Sequence, residues 1–366
     1  MKKLLWCCIL ISRISGILAQ EDSTNYSFFT AGHTYGNPMS YDFGLHSPFE
    51  NYIDTLNNNP KIEMGFLTGD IVYTPNAQFW DSAQTDLNKF TMPIYIAAGN
   101  HDIGQEFVNR FGDYYFSFQK NGDLFIVLAP GLNSWNIIGN QFTFLQNTLD
   151  SNHNNVKNIF IFLHELIWWS PENKYNHVKI NYEPHYPGST NFESTVKPLL
   201  LSYDNNITIY AGDLGATNAV SACMYDKFDN ITLIASGMGG GLRDNIIITE
   251  VYNDYIHHNL VAINETDPNA LGEIYDYSVN SVGLVQMMNE IIVYPNPTDI
   301  GQLRLKNNLI SDITMQIYNL DGKLIQIEFL KKNSANTIQI NNLKSGIYFL
   351  RFFNDKNYAT KKLIVR

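Results

Sequence analysis

The sequence predicts an α/β body followed by a small all-β module, and three observations carry that prediction. Short apolar, β-prone runs end abruptly in polar, metal-competent residues. They are Phe66-Leu67-Thr68-Gly69-Asp70, Pro93-Ile94-Tyr95-Ile96-Ala97-Ala98 before Gly99-Asn100-His101-Asp102, Ile159-Phe160-Ile161-Phe162-Leu163-His164, and Ile207-Thr208-Ile209-Tyr210-Ala211-Gly212-Asp213. Such runs read as strands buried on both faces. Asn-rich stretches such as Leu56-Asn57-Asn58-Asn59-Pro60 and Asn152-His153-Asn154-Asn155 read as surface turns between α/β units. The last 76 residues instead alternate short strands with turns.

Taken in order, the chain opens with Met1-Lys2-Lys3, an apolar stretch from Leu4 to Ser12 broken by Arg13, and Ile17-Leu18-Ala19 before Gln20. A basic start, an apolar centre and a small residue at the junction predict a signal peptide over residues 1–19. The apolar stretch is too short to span a bilayer, and no other stretch approaches the roughly 20 apolar residues a span needs. Cys7 and Cys8 leave with that peptide, so the mature chain keeps only Cys223 and has no internal disulfide. Cys223 is expected to be a small buried residue.

In the body, ligands of open α/β sheets gather beyond the carboxyl ends of the strands. Asp70, Asn100, His101, His164 and Asp213 are therefore expected on one rim. Gly69, Gly99 and Gly212 each precede one of these residues and let the backbone approach a ligand closely.

This order of motifs resembles the calcineurin-like metallophosphoesterases over residues 25 to 265: Gly-Asp, then Gly-Asn-His-Asp, a lone His after an apolar strand, and a strand ending in Gly-polar. The resemblance implies a four-layer αββα sandwich, two sheets flanked by helices, with a two-metal site on the strand-end loops. It implies that Asp70 bridges two metals and that Asn100 and His164 bind the second. His33, in Thr30-Ala31-Gly32-His33, would bind the first. His101 would be the general acid or transition-state contact, oriented by Asp102.

Two positions depart from that family's pattern. Its first motif is Asp-x-His, and here Ala31 stands first. Its last is Gly-His-x-His, and here it reads Gly212-Asp213-Leu214-Gly215. Asp213 is still a competent ligand for a divalent ion, whereas Gly215 offers no side chain. The second site thus keeps Asp70, Asn100, His164 and Asp213, and the first keeps His33 and a share of Asp70. One firm ion and one crippled site are expected, with Tyr35, Asn37 and His46 as nearby substitutes. Mixed Asp, Asn and His ligation suits manganese, iron or zinc better than calcium.

Residues 165–192 are rich in aromatic side chains, and Trp168 and Trp169 are expected to form a substrate rim, the alternative being rings packed on the sandwich. Ser236-Gly237-Met238-Gly239-Gly240-Gly241 follows a strand and reads either as an anion cradle or as a turn near the rim. His257-His258 reads as exposed or core histidines rather than a metal pair.

A linker is expected over 266–290, where Asp267-Pro268-Asn269 signals a turn. Beyond it, Tyr294-Pro295-Asn296-Pro297, Tyr318-Asn319-Leu320-Asp321-Gly322, Leu343-Lys344-Ser345-Gly346-Ile347-Tyr348 and a Lys-rich apolar end are similar to the C-terminal sorting domain of the type IX secretion route. That resemblance covers 291–366. It implies a small β-sandwich read by the translocon of a Gram-negative bacterium, hence a secreted or cell-surface protein.

Charge divides the chain in the same way. Residues 291–366 hold 11 basic and 5 acidic residues, a net of +6, whereas 20–290 hold 10 and 30, a net of −20. So acidic a body lacks the Lys and Arg arrays that nucleic acid requires. The leading expectation is a secreted metal-dependent phosphoesterase that hydrolyses a small phosphate ester with a metal-activated water. Ala31 and Gly215 motivate a second: a catalytically inactive surface or binding protein on the same scaffold. A single-metal hydrolase of another ester is a third.

Overall fold

The computed structural model describes residues 25–183, 186–279, 291–299, 301–309, 312–320, 323–341, 343–353 and 358–366. The signal-peptide segment 1–19, with Cys7 and Cys8, lies outside them, as do His185, Asp321 and Gly322.

The body runs β1 (Tyr26–Ala31), α1 (Ser47–Asn57), β2 (Ile62–Thr68), α2 (Ala77–Leu87), β3 (Ile94–Ala97), α3 (Gln105–Phe111), β4 (Phe116–Lys120), β5 (Asp123–Val127), α4 (Gly139–Asn152), β6 (Asn158–Phe162), β7 (Asn206–Ala211), β8 (Cys223–Phe228), β9 (Ile231–Ser236), β10 (Asn245–Val251) and β11 (Ile256–Ala262). Two sheets result, in the orders β11-β10-β1-β2-β3 and β4-β5-β6-β7-β9-β8. Strands β1, β2 and β3 run parallel, as do β5, β6, β7 and β9, so the carboxyl ends within each group share one edge of its sheet.

The apolar runs form strands because both of their faces find a core. In β1, Phe28 points between the sheets while Phe29 and Ala31 point to the helical side. Between the sheets the layer is aromatic: Phe66 stacks on Phe162 at 3.6 Å and Phe28 meets Phe160 edge-on at 5.0 Å. Outside the first sheet, α1 buries Phe49, Ile53 and Leu56, a helical stripe. Helix α2 starts where the Asn76 side chain accepts the Phe79 N–H, and it buries Trp80 and Ala83. Outside the second sheet, α4 supplies Leu145 and Leu149 to a core with Ile159 and Ile161. These are the four layers, helix, sheet, sheet and helix, that the family resemblance implies.

The terminal module holds β12 (Ile291–Tyr294), β13 (Gln302–Asn307), β14 (Ile313–Asn319), β15 (Leu324–Leu330), β16 (Ser334–Gln339), β17 (Gly346–Phe353) and β18 (Tyr358–Val365). They pair antiparallel as β12-β13-β16 and β15-β14-β17-β18. Alternation decides its core: Ile313, Met315 and Ile317 of β14 point inward with Leu303, Leu305, Leu350 and Phe352.

The segment 266–290, expected as a linker, contributes to the body as far as Val279. Ile274 is fully buried between the sheets and Val279 packs in the core of the second sheet. Residues 280–290 lie outside the described residues. Among the described residues, no helix is long and apolar enough to cross a membrane.

Candidate metal centre at the strand-end rim

The loops after five parallel strands deliver the expected residues. His33 follows β1, Asp70 follows β2, Asn100 to Asp102 follow β3, His164 follows β6 and Asp213 follows β7. Backbone bonds lace these loops together. The His33 N–H donates to the Gly69 carbonyl and the Tyr35 N–H to the Asp70 carbonyl, both at 3.0 Å, and the N–H groups of Gly212 and Asp213 converge on the His164 carbonyl. Glycine permits this closeness. A Cβ on Gly69, which has φ of +83°, would stand 2.4 Å from the His164 ring, and one on Gly212 would stand 1.7 Å from the Thr68 carbonyl oxygen. His33 and Asp70 themselves hold φ of +53°, a left-handed conformation that costs of order 1–3 kcal/mol and is typical of functional loops.

Four buried side chains meet here. His164 Nε2 lies 3.3 Å from Asp70 Oδ1 and 3.8 Å from Asp213 Oδ1, and His33 Nε2 lies 3.6 Å from Asp70 Oδ2. The His164 Nδ1–H donates to the Thr68 carbonyl at 2.9 Å, which orients the ring and turns Nε2 toward Asp70 and Asp213. That Nε2 is buried and has no hydrogen-bond partner among the described residues. Charge follows from burial and proximity. Burial pushes Asp70 up, but His164, His101 and His33 outweigh it and hold the carboxyl well below its usual range. Burial pulls His33 down to about 4 against the opposing pull of Asp70, leaving a neutral imidazole. Burial lowers His164 as well, but Asp70 and Asp213 override it and hold the ring well above its ordinary value. Asp213 is raised by burial, with His164 opposing.

Asp70, His164 and Asp213 supply the oxygen and nitrogen donors of a divalent-ion site, and the unsatisfied Nε2 of His164 fits a ligand role. Among the described residues, however, no three His, Cys, Asp or Glu side chains close into a group able to hold an ion. A site here draws on Asn100 as well, which stands exposed at the tip of its loop. The first-site residues fit less well. Ala31 packs in the helical-side core, and a Cβ on Gly215 would meet the Gly237 carbonyl oxygen at 2.3 Å. Of the nearby substitutes, Tyr35 is buried with its ring 4.4 Å from that of His33 and 5.2 Å from that of His101. Asn37 is engaged with Gly239 and Met39, and His46 is held between Asp42 and Asp244.

Two expectations are corrected. Asp102 does not orient His101. Its carboxylate accepts the backbone N–H groups of Ile71, Val72 and Gly99, and the His101 Nδ1–H donates instead to the Tyr73 carbonyl at 2.7 Å. Trp168 and Trp169 form no rim. Both are buried, with their indole N–H groups directed to Met224 Sδ and the Val178 carbonyl. Of the two readings of Ser236–Gly241, the turn near the rim is favoured, because the Gly239 N–H is taken by Asp244 Oδ1 at 2.7 Å. His258 is a core residue hydrogen-bonded to Thr249, and Cys223 is buried, as expected.

Two contributors escaped the sequence reading. The Asn181 amide donates to Asp213 Oδ1 at 2.9 Å while its oxygen accepts the Ala216 N–H; it comes from the aromatic insertion, and no motif marks it. Glu165 is fully buried beside His164, and neither of its carboxylate oxygens has a hydrogen-bond partner among the described residues. Burial pushes it up to about 7, against the charge of His164. Its position directly after a predicted ligand was the available signal.

Known proteins resemble both parts of the chain. Residues 33–214 match the family model of the calcineurin-like phosphoesterases, and residues 292–366 match that of the secretion system C-terminal sorting domain. A curated relative is the serine/threonine-protein phosphatase CPPED1 of Homo sapiens, 35% identical over 95 residues, covering 22% of this chain and 30% of that protein. The chain thus matches under a third of that relative's length. Among solved structures, purple acid phosphatase PPD1 from yellow lupin (Lupinus luteus) seeds superposes over 84% of this chain and 54% of its own, at 12% identity and a TM-score of 0.44. An immunoglobulin-like β-sandwich of the DUF3244 family from Bacteroides vulgatus covers 20% of this chain and 82% of its own, at 21% identity and a TM-score of 0.18.

Proposed function

We propose that this chain, whose residues 33–214 match the calcineurin-like phosphoesterase model and 292–366 that of the secretion system C-terminal sorting domain, is a secreted or cell-surface phosphoesterase of a Gram-negative bacterium that hydrolyses a small phosphate ester at a site holding one firm divalent ion. The sorting domain carries the export half of that reading, through the type IX translocon. The observation that carries the chemistry is the buried Nε2 of His164, turned toward Asp70 and Asp213 by the Nδ1–H bond to Thr68 and without a hydrogen-bond partner among the described residues.

Asp70, Asn100, His164 and Asp213 would hold the ion, which is manganese, iron or zinc by the mixture of donors. When bound, such an ion activates water and polarises a phosphoryl oxygen. The chain's own groups do the rest. His101 is only partly buried. With its Nδ1–H committed to the Tyr73 carbonyl, it exchanges a proton with substrate at Nε2, where it serves the leaving oxygen as general acid. The Asp102 carboxylate holds the loops after β2 and β3 together by accepting three backbone N–H groups. Asn181 fixes the Asp213 carboxylate.

The test is hydrolysis of a phosphomonoester and phosphodiester panel by the manganese-loaded chain. Turnover that Asp70→Asn abolishes supports the proposal, and no turnover on any member rejects it. Ala31 and Gly215 favour one competing reading, an inactive binding protein on this scaffold, and the same Asp70→Asn comparison separates the two. A panel in which a carboxylic ester outpaces every phosphate would point to another esterase.

A further inference from the structure

A cavity of about 310 Å³ opens at the end of the sandwich opposite the metal-site rim. Its floor is the beginnings of the parallel strands: Asn158 of β6, Asn206 and Thr208 of β7, and Thr232 of β9. The sequence pattern explains why it is a cavity. Along β6, β7 and β9 the inward positions begin as Asn158, Thr208 and Thr232, and two residues later become Phe160, Tyr210 and Ile234 in the apolar layer between the sheets. The inter-sheet layer is therefore apolar over most of its length and polar at this one end. His258 of β11 closes the floor, its Nδ1 within 3.2 Å of Thr249 Oγ1.

The walls differ in kind. Tyr252 and Tyr255 stack at 4.3 Å on one side, and Tyr225 meets Tyr275 edge-on at 5.1 Å on another. Tyr255 and Tyr275 are among the most exposed large aromatic side chains of the body, at 48% and 41%. Among the described residues, the Thr208 and Thr232 hydroxyls make no hydrogen bond. Lys157 and Lys227, which also line the cavity, make no ion pair within 4.0 Å among the described residues, although Lys157 is near enough to Asp123 to favour its charged form. Among the described residues, Asp254 is the one carboxylate in the lining.

We propose that this cavity is a second, non-catalytic binding site for a single sugar unit, with a preference for an acidic sugar over a neutral one. Sugar rings present C–H faces that lie on tyrosine rings and hydroxyl edges that need amides and hydroxyls, and this lining offers both. A cavity of this size sits at the lower end of ligand sites, about 300 Å³, which suits one ring rather than a chain of them. The two lysines supply the charge that a carboxylate on the ring would meet. The site stands independently of the phosphoesterase reading, since it uses none of the rim residues.

The test titrates the full chain with glucuronate, glucose, galactose and N-acetylglucosamine, followed by saturation-transfer NMR and calorimetry. Glucuronate is expected to bind about tenfold more tightly than glucose, a difference of about 1.4 kcal/mol. Lys227→Glu should remove that preference, and Tyr275→Ala should weaken every sugar. Circular dichroism checks that each variant folds, and Asp70→Asn should leave sugar binding intact. Failure of all four sugars to bind, or undiminished binding in both cavity variants, overturns the site. Equal affinity for glucose and glucuronate overturns the acidic preference.

Discussion

His164 Nε2 and Asp70 Oδ1 face each other across 3.3 Å, yet they come from different sheets, His164 after β6 and Asp70 after β2. The candidate metal centre is thus built across the seam of the sandwich, and the packing of the two sheets sets its geometry. What lies next to these ligands should therefore tune them, and Asn181 is the first such neighbour. Asn181→Ala should weaken manganese binding by about 10–100-fold, as loss of a group that orients a ligand typically does. Calorimetric titration measures it. An unchanged affinity would mean that Asp213 needs no support from the insertion.

Asp102 and His101 are neighbours in sequence and should separate in experiment. Asp102→Ala strands three buried N–H groups, each worth about 1–3 kcal/mol, so urea unfolding should show a loss of several kcal/mol. His101→Ala should leave stability nearly unchanged and cut turnover by about 10²–10⁴-fold. The reverse pattern would restore Asp102 to a catalytic role.

Glu165 gives a pH dependence with a definite sign. Its folded-state value is raised to about 7 from an ordinary 4.5, so between these values the folded chain binds more protons than the unfolded one. The stability it contributes is present at low pH and is lost as pH rises through that window, by about 3 kcal/mol in all at about 1.4 kcal/mol per unit. Asp102, also raised to about 7 by burial, acts in the same direction. In metal-free protein, Glu165→Gln should therefore flatten, but not abolish, the decline in urea stability from about pH 5 to about pH 7.5. A slope identical to that of the wild type would contradict it.

Restoring the missing imidazole should fail. Gly215 holds φ of +77°, and a Cβ there meets the Gly237 carbonyl oxygen at 2.3 Å. Gly215→His should destabilise the chain by at least about 1–3 kcal/mol without adding a second ion. A gain in bound metal with an unchanged melting temperature would show that the loop adapts.

Much of this was legible in the sequence because strands buried on both faces leave long apolar runs, and the residues that end them are the residues of the rim. Asp70, His164 and Asp213 meet as those run-ends predict. Alternation likewise marked the inward face of β14. What the sequence concealed depends on direction rather than order. Trp168 and Trp169 follow a ligand directly, but their side chains turn into the core beneath it. Asp102 follows His101, but its carboxylate turns to the backbone of Ile71 and Val72. Asn181 reaches Asp213 from 32 positions away, a contact that only tertiary packing creates.

The most direct test of a one-ion phosphoesterase is elemental analysis of the purified chain and of Asp213→Ala, with turnover measured on the same samples. About one divalent ion per wild-type chain is predicted, lost together with phosphoester hydrolysis in the variant. About two ions per chain would mean that the first site is rebuilt from other residues. No metal, or metal and turnover indifferent to Asp213→Ala, would contradict the proposed centre.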